Sequence, residues 1–170
     1  MDKFKERLTR VLVDICSSHG WLKGKLLESP DIDEAWERLA PSFFGDAVGQ
    51  FNEYPEYSLA CAGYLGMAVA HLWDADWTVF KDVPYTFFLG DRGFDNMDDH
   101  ITGNVLHEAS TSVAAMQECA VQAWHFILRA NPEPGTATAY RMFLAAAVSM
   151  YRIGAAIELC RLGYKLEKAG

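Results

Sequence analysis

The stretch "PEYSLACAGYLGMAVAHLWDADW", Pro55 to Trp77, constrains this chain more than any other. Placed at about 100° per residue round a helix, its side chains are apolar or small on every side as far as His71. A helix with no polar face has to be enclosed by other helices. Gly63, Gly66, Ala68 and Ala70 leave room for neighbouring backbones to come close. Pro55 and Glu56 mark the start, since a missing amide costs nothing in a first turn and an acid suits the positive helix end.

A second segment of this kind, "TATAYRMFLAAAVSMYRIGAAIELCRLGYKLEK", follows the "NPEPG" break and predicts a last helix running to Lys168. Two helices, centred near Leu65 and Val148, therefore form the middle of the molecule. The other segments are amphipathic. Phe4, Leu8, Leu12 and Ile15 recur at helical spacing among charged residues, up to a stop at Gly20. In "SPDIDEAWERL" Asp31 and Glu34 have the spacing of a capping box, and Pro41 is expected to end that helix and begin a new segment. A long helix is expected from Asp95 to Ala130. No alternating strand pattern and no internal repeat is present. The expectation is all-α: one multihelical domain spanning residues 1–170, its two buried central helices wrapped by amphipathic ones.

Composition narrows the partners. The chain has 170 residues, 51% of them hydrophobic, and carries a net charge of -8 with its Lys and Arg scattered, which disfavours a nucleic-acid surface. Cys16, Cys61, Cys119 and Cys160 form no CxxC pair, and each sits in an apolar helical pattern as a small buried hydrophobe. That usage fits a reducing cytoplasm. Asp14 cuts short the apolar run of the amino terminus, so no signal peptide is expected. The longest uncharged run, Tyr57 to Trp73, contains Ser58 and His71 and fits a buried core helix better than a membrane span.

Residues Thr78 to Phe94 interrupt the helical pattern with Phe80, Tyr85, Phe87, Phe88 and Phe94. Long connections of this kind tend to be functional. The aromatics either roof the core or form a lid or an oligomer contact, and "YTFFLGDRGF" has room for a small hairpin turning at Gly90 to Gly93.

Two places carry candidate chemistry. On one long helix His100, His107, Glu118 and His125 fall within about 20° of one another, yet Asn104, Thr111, Gln122 and Arg129 share their face, so the stripe is expected to face solvent. "HEAST" lacks the second histidine of a zinc-protease HExxH, and no metal site is expected. The second place is "HLWDADW". Here His71 and Asp74, three apart, share a face at the end of an otherwise apolar helix. Two acids near a helix carboxy terminus oppose its dipole and call for a cation. Arg141 and Arg152, the only charges of the last helix between Thr136 and Ile157, are the candidates. One reading is a buried Arg to Asp tie that fixes register. The other makes His71, Asp74 and Arg152 the polar floor of a ligand pocket. No nucleophile elbow, P-loop or dinucleotide fingerprint is present, and no cofactor is implied.

With "EYPEYSLACAGYLGMAVAHLWDADW" and the second apolar helix together, the chain resembles a functionally uncharacterised, all-helical bacterial family with a multihelical fold and two buried central helices. The resemblance implies a fold and transfers no active-site residue. Two functions are expected to compete. One is a non-catalytic interaction module that forms a homo-oligomer through segment 78–94, with Phe80, Tyr85, Phe87 and Phe88 at the contact. The alternative is a small-molecule-binding protein or enzyme built on His71, Asp74 and Arg152.

Overall fold

A computed structural model of the protein describes residues 1–108 and 110–165. These form seven α-helices and no strand: α1 (Asp2–Ser18), α2 (Pro30–Ala47), α3 (Pro55–Phe80), α4 (Thr86–Leu89), α5 (Met97–His100), α6 (Ser110–Ala130) and α7 (Ala137–Arg161). The two central helices are α3 and α7. Every residue of α3 from Ser58 to Ala70 is buried, and α7 is buried through most of Phe143 to Leu159. They share the most extensive helix contact in the molecule, with α6, α1 and α2 packed round them.

The contacts between α3 and α7 also reveal their direction. Gly63 lies against Met150 and Gly154, Gly66 against Tyr151 and Ala155, and His71 against Glu158. Both residue numbers rise together, so the helices run parallel. Cys16 meets Cys119 and Phe4 meets Phe126, so α6 runs opposite to α1, while Phe44 on Phe143 and Ile32 on Tyr151 set α2 against α7.

At the centre, backbone touches backbone. A methyl built on Gly66 would overlap the Tyr151 carbonyl, and one on Gly154 would overlap the Gly63 carbonyl. Around this contact α1 buries Leu8, Leu12 and Cys16 and joins α7 through Thr9 Oγ1 and Ser149 Oγ, 3.0 Å apart. From α2, Trp36 packs on the Tyr151 ring at 4.8 Å, and the Tyr151 hydroxyl donates to the Ile32 carbonyl at 2.6 Å. By length and composition α7 could cross a membrane, but 78% of its most apolar window is buried against these neighbours.

The structure corrects four expectations. First, α2 runs through Pro41, because Pro41 and Glu37 are on the exposed face, where water can reach the carbonyl that loses its partner. Ser29, extended, takes the cap position and leaves Asp31 in the first turn. Second, residues 78–94 hold no hairpin. α3 continues to Phe80 with a break at Asp76, whose carboxylate accepts the Val79 amide at 3.3 Å, and α4 follows. Third, the long helix expected over Asp95 to Ala130 is broken. It becomes a 3-10 turn, α5, a π-helical turn at Ile101–Val105 and then, past His107 at φ 54°, α6. Ala109, counted on that helix, lies outside the described residues. Fourth, α7 ends at Arg161, and Leu166 to Lys168, expected to continue it, lie outside the described residues.

Gly66→Ala and Gly154→Ala should each cost about 3 kcal/mol or fail to fold, lowering the melting temperature by about 6–12 °C in calorimetry. Gly45→Ala, a helical position with open space round it, should leave the melting temperature unchanged or slightly raised. Equal effects at all three would show that the α3 and α7 backbones do not touch.

Candidate functional site

The parallel run of α3 and α7 brings their carboxy-terminal turns to one end of the molecule, and the one fully buried charged side chain among the described residues sits there. Seven residues beyond Tyr151, and within about 20° of it round the helix, α7 carries Glu158 on the face that packs against α3. Its side chain is 0% exposed. An ionised carboxylate in such a place needs full pairing. Arg161, one turn on, supplies it: Nε donates to Oε1 and Nη2 to Oε2, both at 2.6 Å. From α3, His71 brings Nδ1 to 2.9 Å from Oε2.

The donors and acceptors fix the proton positions. A guanidinium has only donors, and it engages both oxygens, so Glu158 is an acceptor. His71 therefore donates through Nδ1, and in the neutral ring Nε2 then carries the lone pair. The imidazole is 29% exposed and Arg161 38%, so a buried carboxylate orients two groups that reach solvent. The hydrogen bonds to Glu158 raise the Arg161 pKa, against a smaller opposing effect of burial.

Asp74 joins the same end by a different route. Gly163, at φ 94°, turns the chain back after α7 so that the Tyr164 amide reaches the Leu159 carbonyl at 3.0 Å. This fold-back lays Tyr164 against Trp73, with ring centroids 5.3 Å apart, and lets its hydroxyl donate to Asp74 Oδ1 at 2.6 Å. That bond raises the Tyr164 pKa. Trp73 in turn donates from Nε1 to Asp31 Oδ2 at 3.0 Å. Asp31 belongs to a cleft of about 490 Å³ between α2 and the end of α3, lined also by Glu34, Arg38, Trp77, Lys81 and Asp82. Arg38 spans this cleft and caps α3, donating to the carbonyls of Lys81 at 2.9 Å and Val83 at 2.6 Å.

Of the three residues expected at a site, His71 and Asp74 stand at this end, each with its own partner, and Arg152 does not. Arg152 lies six positions before Glu158, about 240° round the helix, and pairs with Glu28 and, at 3.8 Å, with Asp33. Burial lowers the Arg152 pKa and raises that of Asp33. The tie expected between Arg152 and Asp74 is thus replaced by Arg161 with Glu158, and Arg141 is exposed. Glu158 was the residue sequence reasoning missed. Its signal is a lone acid one turn after Gly154 in an otherwise apolar stretch, with an arginine three residues on.

The other candidates resolve differently. The histidine stripe does not exist, since the π-helical turn and the break after it separate His100 and His107 from α6. His100 Nε2 donates to the Phe87 carbonyl at 2.9 Å, and Glu108 caps α6 through the Thr111 amide at 2.9 Å. Among the described residues no group of three His, Cys, Asp or Glu converges to hold a metal ion. Of the expected contact aromatics, Phe88 is in the core at 1% exposure. Phe80 packs against that core, and Tyr85 is held to Asp46 by a 2.9 Å hydrogen bond. Phe87 is the most open of the four, at 37% exposed.

Compared with protein-family models, curated proteins and solved structures, the chain gives no match. The resemblance to a bacterial multihelical family gains no support from them, and the fold and site stand on their own geometry.

Glu158→Gln should cost about 2–3 kcal/mol, because it leaves two donors of a buried cluster without their charge partner, and the melting temperature should fall by about 5–10 °C. Asp74→Asn, on the exposed side of the same end, should change it little. The reverse ranking in calorimetry would restore Asp74 as the anchor.

Proposed function

We propose that this chain is a small-molecule-binding protein whose recognition point is His71 Nε2 at the carboxy-terminal end of α3. The observation that carries this reading is the fully buried Glu158, paired with Arg161 and aimed at a half-exposed imidazole. Buried ion pairs contribute little net stability compared with apolar packing. A carboxylate that fixes one tautomer and leaves the other nitrogen open is the arrangement used to present a base.

The outward-facing groups favour a ligand that donates hydrogen bonds. His71 Nε2 and the second oxygen of Asp74 are acceptors, and the neighbouring cleft sets Asp31, Glu34 and Asp82 against Lys81, with Arg38 engaged on backbone carbonyls. A protonated amine suits both, and the indole of Trp77, which lines the cleft, is a side chain of the kind that attracts cations.

A thermal-shift screen that sets small primary amines against carboxylic acids of similar size tests this. Amines should raise the melting temperature of the native chain, and His71→Gln should remove at least ten-fold of their affinity. Carboxylic acids should give no shift. Amine binding that survives His71→Gln and Asp74→Asn together would end the proposal.

Self-association through residues 78–94 is kept as a second reading because Val79, 65% exposed, and Phe87 both open to solvent on this segment. Light scattering decides it. A dimer should appear in the native chain and dissociate on Val79→Ser with Phe87→Ser; a native monomer at millimolar concentration removes the reading.

A further inference from the structure

Far from the His71 end in chemistry, two thiols meet inside the seam between α1 and α6. Cys16 and Cys119 are both buried, and their sulfurs lie 3.3 Å apart, one S–H donating to the other sulfur. They are 103 residues apart in sequence, so no spacing motif announces them. Phe4 on Phe126, at 5.2 Å, closes the same seam further along. A disulfide needs the sulfurs at about 2.05 Å, and an approach of about 1.2 Å would bring them there. Among the described residues the other two thiols have no thiol beside them: Cys61 is buried next to Tyr57, and Cys160 is partly exposed near the end of α7.

The pair is also guarded. The hydrogen bond that the Cys119 thiol shares with Cys16, followed by burial, pushes the Cys119 thiol far above its ordinary range. The thiolate is the nucleophile in disulfide exchange, so the closed seam, in which both sulfurs are buried, keeps Cys119 in its unreactive form. Reaction needs α1, the amino-terminal helix, to lift from α6, an opening on the scale of one helix and not of the whole fold.

We propose that Cys16 and Cys119 are a latent disulfide site, oxidised by a small-molecule disulfide when α1 opens, and that the bond locks α1 onto α6. One cysteine loses its proton and attacks a sulfur of the small disulfide. Its S–S bond breaks, a mixed disulfide forms and one small thiolate leaves and takes up a proton. The second cysteine then attacks the protein sulfur of that mixed disulfide and expels the second small thiol. Two protein thiols and one small disulfide become one protein disulfide and two small thiols, with electrons and protons balanced. Because the bond closes a loop of 103 residues, it restricts the unfolded chain far more than the folded one.

The test uses the full chain carrying Cys61→Ala and Cys160→Ala, which leaves only this pair, incubated with oxidised glutathione with and without sub-denaturing urea. The expected product is monomeric, two hydrogens lighter, and yields a linked Cys16 to Cys119 peptide after digestion. It should form at least ten-fold faster with urea, and its melting temperature should rise by about 10 °C. If the double variant does not fold, the linked peptide is sought in the native chain, where Cys160 carries glutathione separately. Stable glutathione adducts on Cys16 or Cys119, disulfide-linked dimers, or a lower melting temperature on oxidation would each overturn the proposal.

Discussion

Two carbonyls and two glycines set the geometry of this molecule. Where Gly66 meets the Tyr151 carbonyl and Gly154 meets that of Gly63, no side chain separates α3 from α7. Contact this close has a single register, because a slip of one residue on either helix would press a Cβ into backbone. The register then decides what stands opposite His71. With Gly63 beside Gly154 and Gly66 beside Tyr151, the next turns bring His71 to Glu158. Ordinary ridge-into-groove packing allows a spread of crossing angles and small slides. Here the chemistry at the end of the bundle inherits its precision from small residues little more than one turn away.

The parallel run has an electrostatic cost. Two helix carboxy termini, each equivalent to about half a negative charge, lie side by side in a chain whose net charge is -8. Cations answer them at short range. Arg38 is spent on the carbonyls just past α3, and Arg161 closes the last turn of α7 on Glu158. Glu158 and Asp74 add negative charge where the dipoles already disfavour it, which explains why each has a dedicated donor: Arg161 with His71 for one, Tyr164 for the other.

The central pair of helices was legible because an apolar pattern on every side admits one interpretation. Pro41 misled because the exposed face of α2 hides nothing that a lost hydrogen bond would disturb. The break after α5 was invisible for the opposite reason. His100, His107, Glu118 and His125 satisfy a helical period although the backbone between them does not, since period measures side-chain pattern and is blind to a π-helical turn or to Glu108 turning back to cap α6. At the site, His71 and Asp74 were readable as charges at the end of an apolar helix. Glu158 was not, because one acid among apolar neighbours looks like the beginning of a polar end. Which arginine would answer it depended on rotation about α7, and there the difference between positions 152 and 161 is the difference between facing α2 and facing α3.

The order of the chain gives α3 a peculiar early life. The backbone it needs, at Tyr151 and Gly154, lies about 85 residues further on and leaves the ribosome about 4–17 s later at ordinary synthesis rates. During that interval a helix with no polar face has α1 and α2 for company and an open groove where α7 belongs. Its alanines and glycines, chosen for close packing, also make that exposed groove less greasy than leucines would. The same small residues that let two backbones touch in the finished molecule thus moderate the hazard of waiting, and the yield of newly made protein rests on the last helix arriving in time.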